Sequence, residues 1–346
     1  MTGPRRLRDI IGNQDLLALL ESGSLPPAAM LTGPEGIGKK TAALLLGSLV
    51  NCSSPSENDL CGRCASCIKA AAGNHPDIRL YPAEPGPHIK IEEMRQMSQE
   101  VQYLPFEGRT RLFVIDNAER LTLEAQNAIL KTLEEPPATS HLFLVTAYPD
   151  RLLSTIRSRC QHFAFKPIGR DEIEAYLRQN TKLDCPDLRA SFSAGSLGRA
   201  LEIDLKSLIR DRDLLLELLT GWLKEERFEV VFKTCEGKTL GSALRNREQT
   251  DRLLETLQTL CYDIYVIKVG TPERIVNRDR VHPLEVLAAN MELPGLRLLL
   301  DSISESKRDV SRNVNPRKCF EMLWLEAWRA QRRRDRTRRA GSKPLS

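Results

Sequence analysis

The chain has 346 residues, two to three times the usual size of one domain, so a single small core is excluded and two or three cores are expected. Its 41% hydrophobic and 28% charged residues place it among folded globular chains, far from the composition of chains that stay disordered. The charge-free apolar stretch around Ala42 to Val50 is too short for the roughly 20 apolar residues that cross a bilayer, and no apolar segment with a cleavage site follows Arg5, Arg6 and Arg8. The chain therefore reads as cytoplasmic and unprocessed, with no membrane partner.

The first third alternates strand-like runs with helical patterns, the rhythm of a parallel sheet covered by helices. Ala28 to Thr32 is the first apolar run, and it leads into Gly33-Pro34-Glu35-Gly36-Ile37-Gly38-Lys39. These are the first seven positions of a phosphate-binding loop. Gly33, Gly36 and Gly38 let backbone amides converge, the following helix adds about half a positive charge at its start, and Lys39 adds a full one. The eighth position, which normally supplies a hydroxyl for Mg²⁺, is Lys40; Thr41 comes one residue late, about 100° further around the helix.

Next come Cys52, Cys61, Cys64 and Cys67, with Gly62 allowing the chain to fold around a cation. Four thiolates at this spacing suit a structural, tetrahedral Zn²⁺ within an insertion of about 50–75 that is too small to build its own core. The C-x2-C-x2-C portion also matches part of a ferredoxin run, but its fourth cysteine lies upstream and no second cluster set is present. His75 is an alternative ligand, although Pro76 and Asp77 beside it favour a turn. The nine cysteines, an odd number, argue for reduced thiols and against a disulfide framework.

Arg111 to Ile115 and His141 to Thr146 are two further strands, separated by one helix-length segment from Leu121 to Glu134 that stops at Pro136 and Pro137. The first ends in Asp116, the place of the acid that holds Mg²⁺ in phosphate-loop proteins. Asn117 follows, where hydrolysing members have a glutamate that orients water; Glu119 lies two positions later. His162 to Phe165 is the last strand. Beyond Lys166 the pattern is helical: a small lid from Asp171 to Gln179, near Asp187 to Phe192 and from Leu197 to Leu205, then a second block. In that block Leu253, Leu257, Leu260 and Ile264 form one stripe, and Asn315-Pro316 opens a helix carrying Phe320, Leu323 and Trp328. The net charge of +5 is concentrated after Trp328, where seven arginines and one lysine face one aspartate, leaving the body near neutral. This basic tail reads as disordered and able to touch phosphates.

Several landmarks lie in one order: Ile11-Gly12-Asn13-Gln14, GPEGIGKK, the four cysteines, HPDI from His75, VIDNAERL from Val114, QNAILKTLEEPP from Gln126, Ser158-Arg159-Cys160, and NVNPR from Asn313. Together they resemble the bacterial clamp-loader AAA+ family of DNA polymerase III. The likeness runs almost end to end and is weakest from about Leu205 to Asp309. The resemblance implies an α/β P-loop (AAA+) domain with a parallel sheet over 1–166, a helical lid over 167–206, an all-α collar over 207–328 that joins subunits, and the tail over 329–346. It implies that Arg159 is an arginine finger offered in trans to ATP in a neighbouring subunit, and that Thr146 is the polar sensor of the γ-phosphate. The family's motor subunits carry a second arginine in a GS-x-R pattern; here Gly198 holds that position and Arg199 is displaced by one.

With Lys40 and Asn117, three hydrolytic positions depart from the motor pattern. The expectation is a stator that hydrolyses ATP poorly or not at all, within the DNA polymerase III holoenzyme. Whether ATP and Mg²⁺ still bind at Gly33, Gly36, Gly38, Lys39, Thr41, Asp116 and Thr146 stays open. The implied partners are motor subunits of gamma/tau type and the delta subunit in a hetero-oligomeric ring, and through the ring the sliding clamp and primed DNA, touched at its backbone. The competing expectations are an ATP-hydrolysing motor of the same family and a zinc-stabilised scaffold that binds nucleic acid through its tail.

Overall fold

The computed structural model describes residues 6–14, 17, 25–56, 59–83, 86–224, 240–241 and 244–326. The chain divides into two units, Met1–Glu202 and Ile203–Ser346. The position of Trp328 and the basic tail lie outside the described residues.

The first unit is built on a five-stranded sheet in the order β2-β3-β4-β1-β5, with β1 at Ala28–Thr32, β2 at Ile78–Tyr81, β3 at Arg111–Ile115, β4 at Ser140–Thr146 and β5 at Gln161–Ala164. Every pairing is parallel. All residues of β3 and β4 are buried, which is why they read as unbroken apolar runs: a central parallel strand is covered on both faces. Helix Lys39–Val50 packs on one face through Ala42, Ala43 and Leu46. The opposite face is covered by Met94 and Met97 of helix Ile91–Glu100 and by Ala125, Ile129 and Leu133.

Three features depart from the sequence expectation. β2 was not expected. Helix Ile91–Glu100 was not expected either. The segment expected as one helix from Leu121 to Glu134 is two, Leu123–Ala128 and Leu130–Glu134, interrupted by the single turn residue Ile129 at φ −90° and ψ −8°. The lid consists of helices Arg170–Asn180, Pro186–Phe192 and Leu197–Glu202 around Ile168, Ile173, Leu177, Ala190 and Ala200.

The second unit is helical throughout its described residues, with helices Leu205–Lys224, Arg247–Val269, Val281–Asn290 and Leu293–Ser311 and a further helical run over 316–326. The longest of these starts where Asn246 accepts the amides of Glu248 and Gln249, and it stops at Gly270, whose φ of 83° an L-residue rarely takes. The expected stripe of Leu253, Leu257, Leu260 and Ile264 is buried, as are Phe320 and Leu323. Asn315 caps the last helix by accepting the Lys318 amide at 3.2 Å. Arg212 is buried here in a two-pronged pair with Asp279, at 2.8 and 2.7 Å. No helix among the described residues is long and apolar enough to cross a membrane.

Candidate nucleotide pocket, cysteine cluster and exposed arginine

β1 ends at the carboxyl edge of the sheet, and the chain turns there into the amino terminus of helix Lys39–Val50, the arrangement that gathers amides around an anion. Gly36 and Gly38 hold φ of 71° and 98°. A Cβ on Gly36 would meet Ser196 Oγ at 2.5 Å, so the loop and the lid lie in close contact. The Lys39 side chain curls back over the loop, its Nζ donating to the carbonyls of Gly33 and Pro34, each at 2.6 Å. Burial lowers its pKa below the ordinary lysine value, and the charges of Glu119, Glu35 and Asp116 partly offset this.

A cavity of about 480 Å³ opens over the loop. Its polar lining includes Asp9, Glu35, Lys39, Lys40, Thr41, Asp116, Asn117 and Thr146, and its apolar lining includes Ile10, Ile11 and Ile168, with Tyr176 also among its walls. The sequence reading placed none of Ile10, Ile11, Ile168 and Tyr176 in the pocket. Ile11 stood in a landmark motif, but nothing local shows that it meets Ile168 and Tyr176. The lining brings together the expected Gly36, Gly38, Lys39, Thr41, Asp116 and Thr146; Gly33 contributes its carbonyl to Lys39. The Thr146 hydroxyl donates to Glu119 Oε2 at 2.6 Å and accepts the Tyr148 amide at 3.0 Å. Sequence spacing set Glu119 aside, yet the tight turn at Asn117, φ 51°, returns its carboxylate to this edge of the sheet.

The family resemblance implies Mg²⁺ between the eighth loop position and the acid of β3. The residues present do not fit it. Lys40 Nζ lies 3.0 Å from Asp116 Oδ2, so an ammonium already neutralises the carboxylate that a dication would need, and a second, doubly charged cation beside it would be repelled.

Gly198, where the resemblance implies an arginine in motor subunits, lies tight against the loop. Gly198 donates its amide to Gly36 O at 2.8 Å, and a Cβ at 198 would lie 3.0 Å from both Gly36 Cα and Gly36 O.

The four cysteines do converge. Their Sγ atoms all lie within 4.8 Å of one another, with Cys52 to Cys64 and Cys61 to Cys67 each at 4.0 Å. A tetrahedral ion with bonds of about 2.3 Å separates its sulfurs by about 3.8 Å, so the group fits one. Amides of Cys61, Cys64 and Cys67 point at the sulfurs of Cys52, Cys61 and Cys64, at 3.4 to 3.5 Å. Burial pushes the Cys64 thiol up, but the amides of Cys67 and Ser53 and the neighbouring thiols outweigh it and bring it down to about 6. His75 is not part of the group: it is buried, bonded to Ser66 Oγ at 3.0 Å, and accepts the Asp77 amide on Nδ1 at 3.1 Å. The turn reading of His75 is the one observed.

Arg159 follows the short helix Ser154–Arg157, held by the buried Cys160 next to it. Its side chain is one-third exposed, lies on the surface, and pairs with Glu134: Nε reaches Glu134 Oε1 at 2.8 Å, and Nη1 donates to Thr155 O at 2.9 Å.

The family described as DNA polymerase III, delta subunit, matches residues 12–169. The DNA polymerase III subunit gamma of Buchnera aphidicola subsp. Baizongia pistaciae is 28% identical over 68% of this chain and 68% of its own. The tau subunit of Bacillus subtilis is 26% identical over 92% of this chain, which spans only 57% of that protein's length. The delta' subunit of Bacillus subtilis is 26% identical over 88% of this chain and 92% of its own. The fold is a five-stranded parallel sheet with helices on both faces and a glycine-rich loop after β1, followed by a helical second unit. The chain is thus similar over residues 12–169 to that family, and the relatives it resembles are gamma, tau and delta' subunits of DNA polymerase III.

Proposed function

We propose that the chain is the stator of the bacterial replicative clamp loader, the delta-prime type of subunit, working in the cytoplasm within the polymerase holoenzyme. It contributes Arg159 to the ATP of a neighbouring gamma/tau-type motor, in a ring that also contains delta and that places the sliding clamp on primed DNA. The observation that carries this reading is the Lys40–Asp116 ion pair, which occupies the place of the hydrolytic metal. Zn²⁺ held by Cys52, Cys61, Cys64 and Cys67 is the structural cofactor, closing its loop without an open coordination position for chemistry.

A guanidinium brought beside a transferring phosphate stabilises its charge, worth about 10³ to 10⁵ in rate. For Arg159 this requires exchanging Glu134 for the neighbour's nucleotide. The test mixes this chain with the motor and delta subunits, clamp and primed DNA. Arg159→Ala is expected to suppress turnover of the mixture by at least a hundredfold at unchanged assembly, and unchanged turnover would remove the finger role.

A second reading draws on Glu119, whose carboxylate meets Thr146 at the same edge of the sheet. It makes the chain a motor in its own right. Brisk ATP hydrolysis by the isolated chain, abolished by Lys39→Ala, would favour it over the stator.

A further inference from the structure

Two side chains hold five consecutive amides of the loop before β3. Asp77 accepts those of Phe106, Glu107 and Gly108 at 2.7, 2.9 and 2.8 Å, and Asn51 Oδ1 accepts those of Arg109 and Thr110 at 2.8 and 3.1 Å. A Cβ on Gly108 would collide with Asn51 Oδ1, so the backbone lies close against this pair. Next to the grip, Tyr103, Leu104 and Phe106 are 63, 78 and 84% exposed. Large apolar side chains stay out in water where the backbone is kept from turning to bury them. Both gripping residues border the cysteine segment. Asn51 immediately precedes Cys52. Asp77 donates its amide to Nδ1 of the buried His75 at 3.1 Å, so the ring carries its proton on Nε2 and gives it to Ser66 Oγ, 3.0 Å away. Ser66 lies on the short helix Ala65–Ala71, between Cys64 and Cys67. From the same helix Lys69 pairs with Glu107 of the loop.

We propose that the cysteine segment is a metal-dependent brace for this loop, in which Ser66, through His75, and Lys69, through Glu107, carry zinc occupancy to residues 106–110. The inference rests on the zinc reading and adds what the metal holds in place. With zinc bound, Cys64 and Cys67 fix the helix turn that bears Ser66, and the two ties keep that turn in register with the loop. Without the metal, a segment too small for its own core loses its order, and both ties go with it. The exposed Lys69–Glu107 pair contributes little alone, so most of the coupling falls on the Ser66–His75 bond, whose loss leaves a buried ring nitrogen without its acceptor. His75 in turn orders the Asp77 amide, one residue unit from the carboxylate that grips the loop.

The experiment is hydrogen exchange of the full chain read by mass spectrometry, zinc-loaded and after chelation in a reductant that keeps the thiols from pairing, with elemental analysis of the same samples. Amides of 106–110 are expected to exchange about tenfold faster without zinc, while those of β4 stay within about twofold and serve as reference. Ser66→Ala combined with Lys69→Met cuts both ties and leaves the cysteines in place. When saturated with zinc, this variant is expected to exchange over 106–110 within about twofold of the metal-free parent and to lose the response to chelation. By linkage its zinc affinity, read by chelator competition, falls by the same factor of about ten. Equal exchange over 106–110 in the loaded and chelated parent overturns the inference and leaves the zinc reading standing. So does a double variant that keeps the full response to chelation or the parent's zinc affinity. A parent that takes up no zinc overturns both.

Discussion

Gly198→Ala is the smallest perturbation that separates lid from loop. Gly198 lies outside the left-handed region, so alanine brings no backbone strain of its own, and the whole effect comes from the neighbour. The new Cβ would sit 3.0 Å from Gly36 Cα and from Gly36 O, both backbone atoms that cannot rotate away. Overpacking of this kind costs about 1–3 kcal/mol, and losing the 2.8 Å bond from the Gly198 amide to Gly36 O costs about 1 more. A total of about 2–4 kcal/mol in a unit of this size lowers its melting temperature by about 4–16 °C. Differential scanning calorimetry of the full chain reads this shift, with the transition of the helical unit as internal reference. Gly198→Arg puts the arginine back at the motor position but carries the same Cβ, so it is expected to show the same loss and no gain in ATP turnover. A melting temperature within 2 °C of the parent for Gly198→Ala would refute the claim that close backbone contact requires glycine here.

Two further outcomes follow from the same unit. Asp77 is buried and accepts the amides of Phe106, Glu107 and Gly108 at 2.7, 2.9 and 2.8 Å. Burial pushes its carboxyl up, but these three amides more than offset that and hold it below the ordinary aspartate value. Its contribution is therefore fully present above about pH 4, the unfolded value, and is lost as pH falls through the lower folded one. Asp77→Ala is expected to cost about 3–5 kcal/mol at neutral pH by leaving three amides unpaired, and Asp77→Asn to flatten the acid limb of the stability curve; an acid limb unchanged in Asp77→Asn would contradict this. For the cysteine cluster, elemental analysis is expected to find one zinc per chain, and chelation to open the 52–72 segment to protease, because such a site contributes about 10–16 kcal/mol of apparent binding energy. Equal protease resistance with and without metal would show that the segment needs no ion.

Whatever depended on local pattern was legible in the sequence. The buried strands RLFVI and SHLFLVT, the glycine loop before Lys39 and the Cys52–Cys67 spacing are each written within a few residues. β2 was missed because Ile78–Tyr81 is a four-residue edge strand with Arg79 in it and only Tyr81 buried. Helix Ile91–Glu100 was missed because just Met94 and Met97 form its buried stripe. The break at Ile129 could not be read because both halves share one apolar face against the sheet. In the pocket, Lys40 announced itself as the wrong residue at a known position, but its partner Asp116 lies 76 positions away, and only the fold brings the charges together. The pocket also joins Ile10 and Ile11 with Ile168 and Tyr176, more than 150 residues further along the chain, and no periodicity records such a meeting.

β1 lies between β4 and β5, so Ala28 must wait for Leu142 before it has a ladder partner, and Ala29 for Gln161 before it is paired on both sides. At the pace of translation, about 5–20 residues per second, that delay is on the order of ten seconds. Meanwhile the cysteine segment, closed between neighbours in sequence, has everything it needs to settle first. A nascent chain stalled before Phe163 would hold every residue of the anion cradle and still lack the finished shelf on which that cradle rests.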